Sequence, residues 1–471
     1  MSLTPDWVKD AVFYQIFPDR FAKSSAVAKS SNLEPWESKP TFHGYKGGDL
    51  LGVVEHLDHL QNLGITAIYF CPIFQSAANH RYHTHDYMLV DPMLGGNEAF
   101  GALLEAAHAR GIKVVLDGVF NHASRGFFQF NDILENGSQS AYLDWFHVRG
   151  FPLNAYESRQ PPNYEAWWNY PALPEFNTDT IAVRQYLWGV AEYWVRQGID
   201  GWRLDVPNEI NDDAFWQEFR RRVKNINPEA YIVGEIWETA ERWLQGDQFD
   251  AVMNYPFSSL AYDFLASGQI VPSVIKDTGI KHLGQKKLSG ATFAAECLEL
   301  LKLYPWEINL AQLNLLDSHD TPRLQTIIGG DLATHKLLTI FQMGFVGAPC
   351  IYYGDEIGLE GGRDPDCRRG MPWDKASWNT EILEFTKSAI AARKGIPALQ
   401  RGGIEFLSTQ DQAVLFERAT DQSRALVALN ASEKAVTFSV KGAYTNALTG
   451  TRVEGTLELA PRSGAILEAA I

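Results

Sequence analysis

The sequence predicts an α/β protein: a (β/α)8 barrel with a protruding subdomain after the third strand and a C-terminal antiparallel β-domain. Three observations predict this architecture. Amphipathic helical segments end at glycine and are followed by short apolar runs. Eight apolar runs can be placed before residue 354. These runs are too hydrophobic to leave one face in water, which is typical of a parallel sheet covered by helices.

The helix-to-strand junctions repeat one pattern. Apolar residues keep helical spacing over 50–63, Gly64 stops the helix, and the apolar run 65–70 follows. Gly111 and Gly198 mark two further junctions of this kind. Glycine adopts the left-handed conformation at a helix end without steric cost, so each junction predicts a helix followed by a strand.

The predicted strands cover residues 11–17, 65–70, 112–120, 199–206, 230–236, 249–255, 310–316 and 347–353, of which 249–255 gives the weakest signal. A doubly wound sheet is the alternative arrangement. The sequence has neither GxGxxG nor GxxxxGK[ST], the phosphate-binding turns that such a sheet usually carries. Eight strands therefore favour the barrel.

Two changes of composition divide the chain. Residues 123–177 are rich in Phe, Tyr, Trp, Asn and Pro and too long for an ordinary connection, which predicts an inserted subdomain. Its aromatic side chains Phe127, Phe128, Trp167 and Trp168 could line the cleft, but we expect them to pack mainly in the core of the subdomain. From residue 396 short apolar runs alternate with turns, which predicts a C-terminal β-sandwich over 396–471. The barrel then comprises 1–122 and 178–395.

The composition excludes several classes of partner. The chain has 471 residues with 41 Lys+Arg and 57 Asp+Glu, a formal net charge of −16. So acidic a surface would repel phosphate backbones and anionic lipid, which argues against nucleic-acid and membrane-surface binding. The sequence has no apolar run long enough for a membrane span, no secretion signal and no CxxC pair among its four cysteines. We expect a cytoplasmic protein in a reducing compartment.

Titratable residues gather where the predicted strands end. They are Asp117, Asn121 and His122 after the third strand, Arg203 and Asp205 after the fourth, Glu235 after the fifth, and Asp317, His319 and Asp320 after the seventh. The carboxyl ends of parallel barrel strands converge on one rim, so these side chains should lie close together. Taken singly, each could be a helix cap or a plain ion pair. Because titratable residues follow four different strands at the same rim, a catalytic role is favoured over four separate structural roles.

Two facing carboxylates suit the hydrolysis of a glycosidic bond. One attacks the anomeric carbon and the other protonates the leaving oxygen. An arginine beside the first keeps it ionised, and a third carboxylate raises the pKa of the acid by like-charge repulsion.

The segments DGVFNH, GWRLDVPNE, GEIW and LLDSHD resemble, in order, the four short conserved segments of the α-amylase family of glycoside hydrolases. The segments AVFYQIFPDRF, HRYHTHDYMLVDPMLGG, LPEFN and YYGDEIG are also similar to that family. VPNE and DPDCRR resemble its neopullulanase, cyclomaltodextrinase and maltogenic amylase branch. The resemblance runs from about residue 7 into the C-terminal β-domain.

The resemblance implies the catalytic roles. Asp205 would be the nucleophile, and Glu235 the general acid/base. Asp320 would be the third carboxylate, binding hydroxyls of the distorted sugar. Arg203 would position Asp205.

It also implies the substrate-binding residues. Tyr82 would stack beneath the sugar in the cleavage subsite, and His122 and His319 would contact that sugar. Trp237 would lie on the leaving-group side. Asp364 and Arg368 would hold the next sugar on the non-reducing side, while Asp117 and Asn121 would brace the rim.

The chain also departs from the family pattern. Relatives in this branch usually carry an additional N-terminal β-domain used for dimerisation, and this sequence starts almost at the first barrel strand, so we expect a monomer. Many relatives have an Asn/Asp-rich calcium loop after the first strand. Here only Gly48 and Asp49 fit it, so we expect no required cofactor and favour a loop without calcium, with a bound calcium ion as the alternative. The cluster His80, His83 and His85 lacks a fourth zinc ligand and is read as structural.

The expected activity is retaining hydrolysis of α-1,4-glucosidic bonds in maltodextrins and starch-like glucans, with cyclodextrins and pullulan as further substrates. The alternatives are an α-glucan transglycosylase or a sucrose- or trehalose-acting enzyme of the same family. A non-enzymatic alternative is an inactive carbohydrate-binding homologue.

Overall fold

The computed structural model describes residues 4–156, 159–276, 283–284 and 286–470. Eight parallel strands form the barrel: β1 Phe13–Ile16, β2 Ala67–Phe70, β3 Lys113–Gly118, β4 Gly201–Leu204, β5 Tyr231–Gly234, β6 Ala251–Val252, β7 Leu313–Leu315 and β8 Ala348–Tyr352. Each strand from β1 to β5 pairs with the next, β7 pairs with β8, and β8 returns to β1. A parallel bridge between Met253 and Leu313 joins β6 to β7 and closes the ring. The predicted fold class is confirmed.

Helices cover the outside of the barrel. The longer ones are Gly96–His108 after β2, Ile181–Gln197 after β3, Asp213–Ile226 after β4, Tyr255–Leu265 and Gly290–Lys302 after β6, Leu332–Gly344 after β7 and Thr380–Gly395 after β8. Shorter helices are Asp6–Asp10, Pro18–Phe21, Pro272–Ile275, Trp306–Ala311, Leu324–Ile327 and Pro397–Arg401. The connection 235–250, which is described throughout, contains no helix.

The segment 50–63 differs from the single helix that its spacing predicts. It forms two helices, Leu50–Glu55 and Leu57–Leu63, with His56 between them. The His56 ring bonds back to the carbonyl of Gly52 at 2.8 Å, and its φ of −114° is not helical. The second helix ends at Gly64 with φ 98°, the left-handed cap that the sequence predicts.

The segment after β3 contains the helix Phe128–Asn136 and a set of extended stretches. Phe127 is buried in an aromatic cluster, as expected. Phe128 is 65% exposed and Trp168 is 70% exposed, so the expected core role is wrong for these two. Isolated bridges from His122 to Glu175 and from Ala166 to Pro174 fix this region against the carboxyl end of β3.

Six C-terminal strands form one antiparallel sheet: β9 Gly403–Gln410, β10 Ala413–Ala419, β11 Arg424–Asn430, β12 Val436–Asn446, β13 Arg452–Leu459 and β14 Ser463–Ala469, in the order β9-β10-β11-β14-β12-β13. Val427 and Ile466 on one face belong to the same core as Leu338 of the helix Leu332–Gly344. The other face carries its own apolar core. The expected β-sandwich has two sheets, whereas these six strands are hydrogen-bonded as one sheet, in which β12 has a register shift between Ser439 and Ala443.

Candidate active site

The carboxyl ends of the barrel strands bring the predicted residues together. Asp117 lies within β3, Arg203 within β4 with Asp205 directly after it, and Glu235 directly after β5. Strands β4 and β5 are neighbours, as the spacing of Asp205 and Glu235 predicts. His319 and Asp320 follow β7 across the mouth and reach the same cluster through the contacts described below.

The Arg203 guanidinium is the centre of the site. It is fully buried, and its Nη1 donates to both oxygens of Asp117, at 3.0 and 2.9 Å, and to Oδ1 of Asp205 at 3.0 Å. Its Nη2 lies 2.8 Å from Oε2 of Glu235. One cation therefore holds three carboxyl groups in fixed positions, which a plain surface ion pair does not do.

Glu235 retains its proton more readily than an ordinary glutamate. Burial raises its pKa, the Arg203 guanidinium opposes this rise, and the charges of Asp320 and Asp117 add to it, so the pKa is raised to about 7. Trp237 Nε1 donates to Oε1 of Glu235 at 3.2 Å. A carboxyl with this pKa is protonated in a large fraction of molecules at neutral pH, as a general acid must be.

Asp205 and Asp117 are acidic neighbours of the same cation. Burial outweighs the lowering effect of Arg203, so the pKa of Asp205 is well above its ordinary value and that of Asp117 is also raised. Three carboxyls share one guanidinium, so the cluster retains a proton near neutral pH. Glu235 accepts one hydrogen bond from Val206 N at 3.3 Å and one from Trp237 Nε1 at 3.2 Å. Asp117 accepts four hydrogen bonds, two from Arg203 and one from each of the Tyr69 and Tyr82 hydroxyls.

Val206 has a left-handed backbone, with φ 34° and ψ 52°. This conformation is an outlier for a β-branched residue. The turn carries the chain away from β4 immediately after Asp205 and directs the Val206 N–H toward Glu235. Strained backbone of this kind is found where the surrounding structure fixes a functional group.

Asp320 remains ionised. Burial acts to raise its pKa, but His319, Arg368 and Arg203 together outweigh burial and lower it. Arg368 Nη2 lies 3.1 Å from Asp320 Oδ1, and Arg368 Nη1 lies 3.0 Å from Asp364 Oδ1. The predicted pair Asp364 and Arg368 is thus joined to the third carboxylate.

A hydrogen-bond chain crosses the floor of the site. Burial lowers the pKa of His319 to about 3, so the ring is neutral. Gln15 Nε2 lies 2.8 Å from His319 Nδ1, and His319 Nε2 lies 2.6 Å from the Tyr82 hydroxyl, which donates to Asp117 Oδ2 at 2.9 Å. With Gln15 donating, Nε2 carries the ring proton. The Tyr82 and His319 rings stack at 5.4 Å and 6°.

His122 lies after β3, and its ring contacts the backbone of Tyr82. Burial lowers its pKa to about 3, so this ring is also neutral. It stacks against Trp167, with ring centroids 5.3 Å apart and an interplanar angle of 21°. Asn121, predicted to brace the rim, contacts the His122 ring at 3.4 Å.

Some residues differ from their expected positions or were missed. Asp317 accepts a hydrogen bond from the backbone N–H of Leu324 and shares another with Asp355, which contacts Arg323. It therefore belongs to a different cluster from the three carboxyls at Arg203. Gln15 and Tyr69 belong to the site, and Tyr69 donates to Asp117 at 3.0 Å. Both lie inside apolar strands, where only the inward-facing alternation of a barrel strand could have indicated them.

The loop after β1 does not fit a calcium ion. Asp49 is buried; its Oδ1 accepts from Gly52 N at 2.7 Å, and its Oδ2 accepts from Ser24 N at 2.8 Å and from the Lys29 ammonium. Asp19 is engaged by two backbone N–H groups, of Lys46 and Gly47, and by Arg20. These oxygens already face hydrogen-bond donors, and one donor is a cation. Across the described residues no group of three or more His, Cys, Asp or Glu side chains is placed to hold a metal ion.

A (β/α)8 barrel with two carboxyls on neighbouring strands and a third across the mouth defines a glycosidase. The family model of the α-amylase catalytic domain matches residues 15–388. The chain belongs to the α-amylase family of glycoside hydrolases. It is 44% identical to a cyclomaltodextrinase of Geobacillus thermopakistaniensis over 96% of this chain and 75% of the relative, and 43% identical to neopullulanase 2 of Thermoactinomyces vulgaris over 98% and 78%. It is 50% identical to a debranching enzyme of Nostoc punctiforme, whose crystal structure superposes with a TM-score of 0.89 over 99% of each chain.

No helix among the described residues combines the length and the low polarity that crossing a bilayer requires.

Proposed function

We propose that this glycosidase hydrolyses α-1,4-glucosidic bonds in maltodextrins and starch-like glucans with retention of configuration, and accepts cyclodextrins and pullulan. The observation that supports retention is that Arg203 contacts Asp205 and Glu235 with two nitrogens of one guanidinium. Two carboxyls held in this way are close together. Retaining enzymes have their carboxyls roughly 5 Å apart, whereas inverting enzymes need room for a water molecule between them.

In the first step Asp205 acts as the nucleophile. Its carboxylate oxygen attacks the anomeric carbon while Glu235 transfers its proton to the glycosidic oxygen, so the bond breaks and a glycosyl ester forms on Asp205. The Arg203 guanidinium favours the ionised form of Asp205 and orients it for attack. Asp320, held by Arg368, accepts hydrogen bonds from the distorted sugar.

In the second step Glu235, now ionised, removes a proton from a water molecule. The water oxygen attacks the anomeric carbon of the ester, Asp205 leaves, and the second inversion restores the original configuration. An acceptor sugar in place of water gives transglycosylation. Tyr82, His122 and His319 would surround the sugar that reacts, Trp237 would lie on the leaving-group side, and Asp364 with Arg368 would hold the next sugar on the non-reducing side.

A second candidate bond is the α-1,6 linkage at branch points. It is favoured by the 50% identity to a protein named a debranching enzyme. The same pair of carboxyls would cleave either bond, because the linkage position alters only the leaving sugar. Sucrose- and trehalose-acting enzymes of the family remain the alternatives in which transfer dominates.

The reaction as proposed needs no metal, because acid, nucleophile and positioning cation are side chains. The Lys29 ammonium beside Asp49 supports this for the loop after β1. We further propose a cytoplasmic monomer, divided as expected into the barrel, the inserted segment 123–177 and the C-terminal segment 396–471. The acidic net charge supports the absence of nucleic-acid and membrane partners.

The test is the time course of the anomeric protons during cleavage of maltohexaose, pullulan and a singly branched maltodextrin, followed by NMR. The expected result is new α-anomer signal before mutarotation, with one new reducing end for each bond broken. β-Anomer as the first product would overturn retention. A constant number of reducing ends would favour the transferase alternatives. Cleavage of pullulan and the branched substrate at their α-1,6 bonds, without cleavage of maltohexaose, would favour the α-1,6 bond.

A further inference from the structure

We propose that the indole of Trp168 is a binding platform for one glucosyl ring of the α-glucan chain, beyond the sugar that lies at His122. The proposal rests on the proposed function for the identity of the ligand. The observation that carries it is a stack of three rings that begins in the active site. His122 and Trp167 are 5.3 Å apart at 21°, and Trp167 and Trp168 are 4.8 Å apart at 15°.

The stack ends in an open face. His122 is buried, Trp167 is half-buried between its two neighbours, and Trp168 is 70% exposed. Exposing a large apolar ring to water does not stabilise the fold, because burial of its surface would be favourable. Phe128 has a similar exposure, but its described ring contact is with Tyr142 and not with the stack. Tyr170 is 54% exposed and contacts Trp167, but its ring is tilted by 45° at 6.5 Å, so Trp168 is the exposed ring that continues the parallel stack.

The backbone at Trp168 and Asn169 is strained where the chain turns and exposes the Trp168 ring. Trp168 has φ 50° and ψ 28°, and Asn169 has φ 59°, two consecutive non-glycine residues in the left-handed region. Trp167 N donates to Leu173 O at 3.0 Å, and Tyr170 N donates to Trp167 O at 3.0 Å, which holds the turn closed. Strain that the surrounding structure maintains is typical of ligand-binding positions.

The chemistry beside the platform suits a pyranose. Trp167 Nε1 is buried and has no hydrogen-bond partner among the described residues, so a donor lies at the edge of an apolar face. A glucosyl ring offers an apolar face for stacking and hydroxyl oxygens that accept hydrogen bonds. The net charge of −16 disfavours anionic ligands with comparable ring faces, such as nucleotides.

The platform continues the site rather than forming a separate surface. The bridge between His122 and Glu175 and that between Ala166 and Pro174 hold the Trp167–Trp168 turn beside the end of β3. A chain with one sugar at His122 reaches Trp168 only by continuing several sugars in the direction of this turn. Trp168 should therefore act on long chains more than on short ones.

The experiment compares kcat/KM for maltohexaose and maltotriose in the wild type, Trp168→Gly, Trp168→Phe and Phe128→Ala. Glycine adopts the left-handed conformation freely, so Trp168→Gly removes the ring without adding strain. We expect the ratio of kcat/KM for maltohexaose to that for maltotriose to fall about ten-fold in Trp168→Gly, within the range of aromatic stacking. Trp168→Phe should restore most of the ratio. Phe128→Ala, the control, should leave the ratio unchanged.

Calorimetric binding of maltohexaose to Glu235→Gln, with and without Trp168→Gly, separates the platform from the reaction. Weaker binding in the double variant supports the platform even if the wild type cleaves neither oligosaccharide, in which case the proposed function fails alone. Cleavage with an unchanged ratio in Trp168→Gly overturns the platform alone. No binding of maltohexaose to Glu235→Gln overturns the platform and its ligand class.

Discussion

Arg203 Nη2 lies 2.8 Å from Oε2 of Glu235, although Glu235 has its pKa raised to about 7. A cation this close would normally hold a glutamate ionised. Here Asp117 and Asp205 also bind the same guanidinium, and the charge of Asp117 offsets the effect of Arg203 on Glu235. Burial and the charges of Asp320 and Asp117 therefore prevail at Glu235, which favours the protonated form that a general acid needs.

The first prediction concerns the general acid. Glu235→Gln should lower kcat on unactivated maltohexaose by about 10²–10⁴-fold, because the leaving oxygen loses its proton donor. The dissociation constant for maltohexaose should change little. Glu238→Gln, an exposed glutamate in the same loop, is the matched control. Turnover near the wild-type level in Glu235→Gln would show that another group donates the proton.

The second prediction concerns the covalent intermediate. A 5-fluoroglucosyl fluoride should label the peptide that contains Asp205, as detected by mass spectrometry after digestion, and Asp205→Asn should remain unlabelled. Glu235→Gln should still be labelled, because fluoride leaves without protonation. Label on a different carboxylate would reassign the nucleophile.

The third prediction concerns pH. The acid must be protonated, so kcat/KM should fall as the pH rises through about 7, the pKa of Glu235. The charge of Asp117 raises that pKa, and Asp117→Asn also leaves Arg203 freer to lower it, so the alkaline limb should move to lower pH.

The pH profile of initial rates at low substrate concentration measures this shift. Asp58→Asn is the control, since Asp58 forms an exposed ion pair with Arg110. An alkaline limb that keeps its position in Asp117→Asn would mean that the charge of Asp117 does not act on Glu235.

The fourth prediction concerns the loop after β1. Lys29→Met should destabilise the protein by about 2 kcal/mol, because a buried carboxylate loses a charged hydrogen-bond donor. Lys39→Met, an exposed lysine of the same loop, should have little effect. A chelator should leave the melting temperature of the wild type unchanged. A drop of several degrees with the chelator would show that a metal ion stabilises this protein.

The barrel could be predicted from the sequence because its signals are local. Glycine at the end of a helix and a short apolar run after it are set by backbone sterics and burial, so even the weak run 249–255 contains a strand, Ala251–Val252. The cluster at the mouth was predictable for the same reason. Once Asp205 and Glu235 follow neighbouring parallel strands, the topology brings them to one rim.

The remaining details depend on contacts between distant segments. Gln15 contacts His319, which lies 304 positions further along the chain. The residues that flank Gln15 in the sequence do not indicate that its amide belongs to the active site. The pairing of Lys29 with Asp49 depends on how a loop closes. The exposure of Trp168 follows from a left-handed turn, and tryptophan carries no local preference for one.

The pairing of Phe13 in β1 with Cys350 in β8 has a consequence for how the protein is made. Most of the chain lies between these two residues, so the first strand leaves the ribosome long before its partner exists. At the usual rate of synthesis the interval is roughly 20–70 s. During that time one edge of β1 has no strand to pair with, which exposes the nascent chain to aggregation and makes it a natural client for chaperones that shield strand edges.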